Sequence, residues 1–233
     1  MRFGHSVIAL ESCTSTQDEA RKYLGQPGTV VTAQAMSTGR GRLGRRWVAP
    51  AGMNLCATLV GPRVEPSRLW ELAPLVGLAA VEVVRNFGFD ARVRFPNDIF
   101  LYGRKLGGVL IEVEAGQPLI GIGINVKPRP WPPELEEKAI ALGNSVEIAA
   151  LERALWETLT QRWAPWDQGG LSAILPDWHA FLDPKARRIF ILEGQATLCR
   201  VALLSASGQV TLELPGSSLR TVSASEVIFG DED

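Results

Sequence analysis

The stretch Gly39-Arg-Gly-Arg-Leu-Gly-Arg-Arg-Trp47 places four arginines and three glycines within nine residues. A guanidinium is always charged and presents a planar fork of donors that matches phosphate. Glycine costs backbone entropy and packs nothing, so the stretch is expected to hold neither a stable helix nor a strand. Such a backbone can close over a polyanion and bring its own N–H groups near it. These residues alone support two readings: a loop that covers a phosphate or nucleotide, and a solvated basic loop that clings to RNA.

Four further groups have the chemistry to join it. Thr14, Ser15 and Thr16 precede a helical pattern, with Thr16 and Glu19 spaced as a capping box and Asp18 in the first turn. Pro96-Asn97-Asp98 interrupts a strand pattern, and Lys105 stands just before Gly107-Gly108. Gly121 and Gly123 alternate with apolar residues, which leaves one face of a strand nearly bare for a slim ligand or a close-packed element. Together they suit attack by a substrate carboxylate on an α-phosphate, a step that builds negative charge on the phosphoryl oxygens. Arg40, Arg42, Lys105 and a Mg²⁺ held by Asp98 would stabilise that charge. The step asks for no protein nucleophile.

The totals agree with such chemistry. The chain has 233 residues, 46% hydrophobic and 21% charged, with a formal charge of −1. That composition describes a globular protein with a substantial core and no global basic field for nucleic acid, so the local arginine cluster stands out. Cys13, Cys56 and Cys199 are far apart and form no C-x-x-C pair, and His5 and His179 are the only histidines. Neither zinc, a disulfide framework nor a histidine triad is indicated. No long apolar run or leader pattern appears, so a cytoplasmic protein with no membrane partner is expected.

The elements that must position these groups can be read in order. Strands are expected at 5–10, 29–34 and 54–60, with the basic loop joining the last two. A long helix over 66–87 is expected to kink or split near Pro74. Strands follow at 92–101, 105–113 and 119–126. A stiff proline-rich connector, Lys127 to Pro133, is read as a surface linker. A second long helix is expected from Asn144 or Ser145 to about Trp163, then a short one over 171–182. Five short strands after Pro184 read as a small β-barrel. The chain thus divides into an α/β catalytic unit, 1–184, and a C-terminal unit, 185–233.

The ordered motifs resemble those of the biotin–protein ligases. The Gly39–Trp47 segment matches that family's Gly-Arg-Gly-Arg-x-Gly-Arg-x-Trp. Pro50, Gly52, Asn54 and Leu55 follow its next block with Ala49 in the serine place. Arg94-Phe95-Pro96-Asn97-Asp98 stands for Lys-Trp-Pro-Asn-Asp. Lys105 through Glu112, with Val109 for isoleucine, and Gly121 through Asn125 complete the set. The resemblance implies a mixed sheet with flanking helices and an SH3-like C-terminal barrel. It also implies biotin and ATP·Mg²⁺ as reactants, with no zinc, haem or flavin, and a biotin carboxyl carrier domain as acceptor. Biotin would lie against Ser15, Thr16, Gln17, Met36, Gly39, Arg40, Gly41, Arg42, Lys105, Gly108 and Gly121. The nucleotide would lie against Arg42, Arg45, Trp47, Asn97, Lys105 and Asn125. Lys105, Arg40 and Arg42 would carry the catalysis. Some family members repress transcription through an N-terminal helix-turn-helix; nothing before residue 10 fits one, so no sequence-specific DNA binding is expected. A weak homodimer is a further expectation.

Two positions depart from the family pattern. Met36 stands where a glutamine is usual, and a thioether cannot donate a hydrogen bond; one lost bond is worth on the order of 1 kcal/mol. Gln34, two positions away, is the expected substitute. Ser205-Ala-Ser-Gly208 replaces an Asp-x-x-Gly turn, which weakens the expectation of nucleotide contacts from the second unit. The competing readings are a lipoate ligase, a non-catalytic binder of biotinyl-adenylate, and an RNA-binding module. Lys105→Ala is expected to abolish adenylate formation, read as pyrophosphate release on adding biotin and ATP.

Overall fold

The computed structural model describes residues 1–224 and 227–229; residues 225–226 and 230–233 of the expected second unit lie outside the described residues. The chain begins with β1 (Ser6–Cys13), α1 (Thr16–Ala20) and β2 (Thr29–Arg40). It continues through β3 (Arg46–Ala49), β4 (Asn54–Val60) and α2 (Leu72–Asn86) to β5 (Ala91–Arg94), β6 (Asp98–Leu101), β7 (Arg104–Glu114) and β8 (Gln117–Asn125). These strands form one mixed sheet in the order β1-β2-β4-β8-β7-β6-β5, with β3 paired on the end of β2. Only β1 and β2 run parallel. Every residue of β4 is buried, as expected for a central strand covered on both faces.

The two faces carry different loads. On one, Val30, Leu55, Leu59, Ile120, Ile122 and Ile124 pack under α2 and α3 (Ile148–Gly169) in the main core. Alternation turns Val31, Val60 and Leu119 to the other face, where they meet Ala20 of α1. This second face is the one that carries the glycines. The register sets Asp98, Gly108, Gly123 and Cys56 in one transverse row, and Leu110, Gly121, Thr58 and Val31 in the next. The rows form a shallow trough bounded by an acid at one end and a thiol at the other.

Several expectations are corrected. The basic stretch is an ordered hairpin: β2 runs through Gly39 to Arg40, a 3-10 turn spans Arg42–Gly44, and β3 returns along it. Gly39 belongs in the ladder because a Cβ there would lie 2.5 Å from the Trp47 carbonyl oxygen. Ser15 caps α1 by accepting from the Gln17 N–H, in place of the expected Thr16–Glu19 box. As expected, the long helical pattern splits near Pro74: residues Pro66–Glu71 are 3-10, and Pro74 falls in the first turn of α2, where its missing N–H costs nothing. The second long helix starts at Ile148 and runs on to Gly169.

After α4 (Leu175–Phe181) come β9 (Arg187–Leu192), β10 (Gln195–Leu204), β11 (Gln209–Glu213) and β12 (Leu219–Ser223), an antiparallel sheet in that spatial sequence. The expected fifth strand is reduced to a bridge between Phe229 and Phe190 of β9. The apolar core is continuous across both sheets: Phe190, Cys199, Val201 and Leu204 belong to the cluster that holds α2 and α3. Within it Trp163 lies edge-on to Phe3 at 5.0 Å and to Trp166 at 4.9 Å. Truncating a buried indole forfeits its transfer free energy and leaves a cavity, so Trp163→Ala is expected to cost about 3–5 kcal/mol, measured by urea unfolding.

Candidate active site

The start of α1 sits over the second row of the trough. Ser15, Thr16 and Gln17 are buried. The Thr58 hydroxyl donates to Thr16 Oγ1 at 2.9 Å. Gln17 Nε2 donates to the Leu110 carbonyl at 3.1 Å, directly above Gly121, where a Cβ would come within 2.7 Å of that amide. Gln17 Oε1 is buried and accepts no hydrogen bond among the described residues. A buried acceptor left unsatisfied is costly, and a ligand N–H would relieve it.

Met36 faces the same place. Its Sδ lies 3.5 Å from the Thr16 N–H nitrogen and 3.8 Å from the Thr16 hydroxyl, as a weak acceptor for both. Gln34, the expected substitute, is exposed. The hairpin closes over the first row. The Trp47 ring lies on Gly123, where a Cβ would come within 2.6 Å of it. Beneath it burial pushes the Cys56 thiol up to about 12, against a smaller lowering by the Trp47 indole, so the thiol stays protonated and inert. Gly121 and Gly123 therefore serve close approach by Gln17 and Trp47.

The four hairpin arginines divide the work. Arg40 is bidentate on Asp18 at 2.8 and 2.9 Å and also reaches Glu112 at 3.3 Å, which ties the root of the hairpin to α1 and β7. Its hydrogen bonds hold the Asp18 carboxyl below its ordinary range. Arg42 crosses to the Pro-Asn-Asp corner, donating to Asn97 Oδ1 at 3.0 Å and lying 5.0 Å from the centre of the Phe229 ring. Gly41 donates to the Arg45 carbonyl within the turn, Arg45 itself is exposed, and Arg46 bonds the Ser37 carbonyl. Asn125 is buried at the other end of the trough, accepting from Asn54 at 2.8 Å. There Arg129 donates to Asn54 and to the Val48 carbonyl and stacks on Trp131 at 4.1 Å. The proline-rich stretch, read as a surface linker, is thus anchored beside the trough through Arg129.

Among the described residues Asp98 is the most deeply placed acid, 5% exposed. Its Oδ1 lies 2.6 Å from Lys105 Nζ and its Oδ2 3.3 Å from the Arg188 guanidinium. Gly108 makes room for this pair, since a Cβ there would meet Asp98 Oδ1 at 3.2 Å and Lys105 at 3.6 Å. Both carboxylate oxygens already face cations, and no group of three metal-ligating side chains occurs among the described residues. Asp98 therefore does not fit the expected role of Mg²⁺ ligand: its charge is spent on two protein cations. Arg188 was missed by the sequence reading. A period-2 signal was present, because Arg188 shares a strand face with the buried Phe190.

The whole chain can now be set beside known proteins. The model of the biotin/lipoate A/B protein ligase family matches residues 9–128. The bifunctional ligase/repressor BirA of Escherichia coli K12 is 30% identical over 232 residues, covering 91% of this chain and 71% of its own. The chain belongs to the biotin/lipoate A/B protein ligase family. A second family relative, the biotin–[acetyl-CoA-carboxylase] ligase of Paracoccus denitrificans, is 28% identical and spans 93% of this chain and 97% of its own. The fold is also that of the biotin protein ligase of Aquifex aeolicus, solved with biotin and ATP, at a TM-score of 0.84 and 21% identity over 98% of this chain and all of that one.

The Asp98 ion pairs bear on stability. Burial alone pushes the Asp98 carboxyl up, but Lys105 and Arg188 outweigh it and hold the group below the usual carboxylate range. A depressed folded pKa means that the stabilisation is complete above the ordinary value near 4 and is lost as pH falls through the folded value. Asp98→Asn is expected to cost about 3–5 kcal/mol near neutrality, with the difference from the unmodified chain shrinking in acid, read as urea midpoints against pH.

Proposed function

We propose that this chain is a biotin–protein ligase, activating biotin with ATP and passing it to a lysine of a biotin carboxyl carrier domain. The observation that carries the reading is convergence: cations from three separate segments, Arg42, Lys105 and Arg188, meet at the Asn97–Asp98 corner. That corner adjoins the glycine trough and the buried, unsatisfied Gln17 Oε1. A cyclic urea offers N–H donors of the kind Gln17 Oε1 needs. The acyl chain would run along the trough toward Lys105.

In the first step the biotin carboxylate oxygen forms a bond to the α-phosphorus as the bond to the bridging oxygen breaks, and pyrophosphate leaves. In the second the acceptor amine attacks the acyl carbon, AMP leaves, and the amine gives up a proton. Lys105 and Arg42 would stabilise the charge on the α-phosphate oxygens, and Arg40 would fix the hinge of the hairpin that covers them. Ser15, Thr16, Gln17, Met36, Gly39, Gly41, Gly108 and Gly121 would line the acyl site. Arg45, Trp47, Asn97 and Asn125 would border the nucleotide. Mg²⁺ would arrive with the nucleotide phosphates, as it commonly does, and not through Asp98. Residues 1–184 would form the catalytic unit and 185–233 a supporting one.

The rival within the family is lipoate attachment; the arginine-rich hairpin favours biotin. The test is labelling of a carrier domain by biotin and by lipoate in parallel, with ATP. Biotin labelling accompanied by pyrophosphate release is expected, and labelling by lipoate alone overturns the proposal. Met36→Gln is expected to tighten biotin binding by several fold, the worth of one hydrogen bond, by isothermal titration.

A further inference from the structure

Arg129 stands between two prolines, Pro128 and Pro130, in the connector after β8. Proline fixes its own φ and holds the residue before it in extended backbone, so the chain has little freedom at this arginine. The guanidinium stacks on Trp131 at 4.1 Å and donates to the Val48 carbonyl of β3 at 3.0 Å. It also donates to Asn54 Oδ1 and, at 3.5 Å, to Asn125 Oδ1. Asn54 and Asn125 oppose each other on β4 and β8, one row beyond Cys56 and Gly123 on the trough face. Both are buried.

Donor geometry settles which way these two amides point. A guanidinium has donors and no acceptor. Asn54 therefore turns its oxygen to Arg129, which leaves its nitrogen to donate to Asn125 Oδ1 at 2.8 Å. The Asn125 oxygen is thus taken, and its nitrogen is the end that remains. That nitrogen has no hydrogen-bond partner among the described residues and is not fully sealed from solvent. On β8 it shares the trough face with Gly121 and Gly123.

We propose that Arg129 is a positioning residue for the nucleotide: it fixes the sense of the Asn54–Asn125 pair, so that Asn125 offers N–H donors to an acceptor atom of ATP. The inference rests on the ligase reading, in which Asn125 borders the nucleotide. Without Arg129 the two amides can reverse together and keep their mutual hydrogen bond, with Asn125 Nδ2 donating to Asn54 Oδ1. The Asn125 oxygen then faces the ligand, and two acceptors meet. Arg129 removes that second arrangement without touching the nucleotide. Its bond to Val48 joins the same pair to the return strand of the arginine hairpin.

The test is isothermal titration of ATP, of adenosine and of biotin onto the full chain, each at low and at high salt. Arg129→Met, which keeps the length and loses every donor, is expected to weaken ATP binding about tenfold, the worth of one misdirected hydrogen bond. Biotin affinity is expected to stay within about twofold, since no acyl-site contact is altered. Arg129→Lys, which also only donates, is expected to recover most of the loss. Salt screens a missing charge but not a reversed amide, so a loss that disappears at high salt overturns the inference. A loss shared by adenosine puts the acceptor on the nucleoside, and one confined to ATP at both salts puts it on a phosphate; either is as proposed. Asn54→Asp separates positioning from structure, because it keeps an acceptor for Arg129 and removes the donor to Asn125. It is expected to hold its urea midpoint and still weaken ATP binding at high salt. Normal ATP binding by Asn54→Asp, or by Arg129→Met, overturns the inference alone. Absence of ATP binding by the unmodified chain overturns the ligase reading and this inference with it.

Discussion

A carboxylate removed from water has to be answered by positive charge, and Asp98 is answered twice. Its partners come from β7 and from β9, strands of different sheets. Removing either partner takes away part of the positive charge that offsets the carboxylate's desolvation. The Pro-Asn-Asp corner therefore cannot relax without disturbing both sheets. The hairpin depends on the same corner, because Arg42 ends on Asn97. Asn97 is held in turn by donating to the Val109 carbonyl at 2.8 Å.

The second constraint is steric. Row-by-row register across β6, β7, β8 and β4 brings Gly108, Gly121 and Gly123 to one face. Each lies beneath a long side chain: Lys105, Gln17 and Trp47. The glycines are thus a property of the sheet that the side chains exploit, lowering the floor so that long polar groups can lie flat. Helices α2 and α3 fill the opposite face with apolar side chains and supply the rigidity that the trough lacks.

Much of this was legible in the chain. Alternation and helical spacing located the strands and long helices, and the order of the motifs indicated the family before any geometry was known. What stayed hidden depended on long-range pairing. The basic stretch folds as a hairpin because Gly39 opposes Trp47, a relation no local propensity encodes. Ser15 displaces Thr16 as helix cap because Thr16 is engaged by Thr58 on a distant strand. Asp98 looked like a metal ligand by residue type alone; its second cation comes from ninety residues further along the chain. Arg129 sat within a proline-rich run whose composition masked its anchoring to Asn54.

The hairpin is fastened at both ends, by unlike means. At its root Arg40 joins Asp18 and Glu112 in a surface lattice that Arg21 extends to Glu114, with the Arg40 side chain 36% exposed. Dissolved ions reach such a lattice, and at physiological ionic strength the Debye length is about 8 Å. Around Asp98, shut away from solvent, mobile counterions have little access. Rising salt therefore slackens the outer fastening while the inner one holds, and the cover pivots about its deep end.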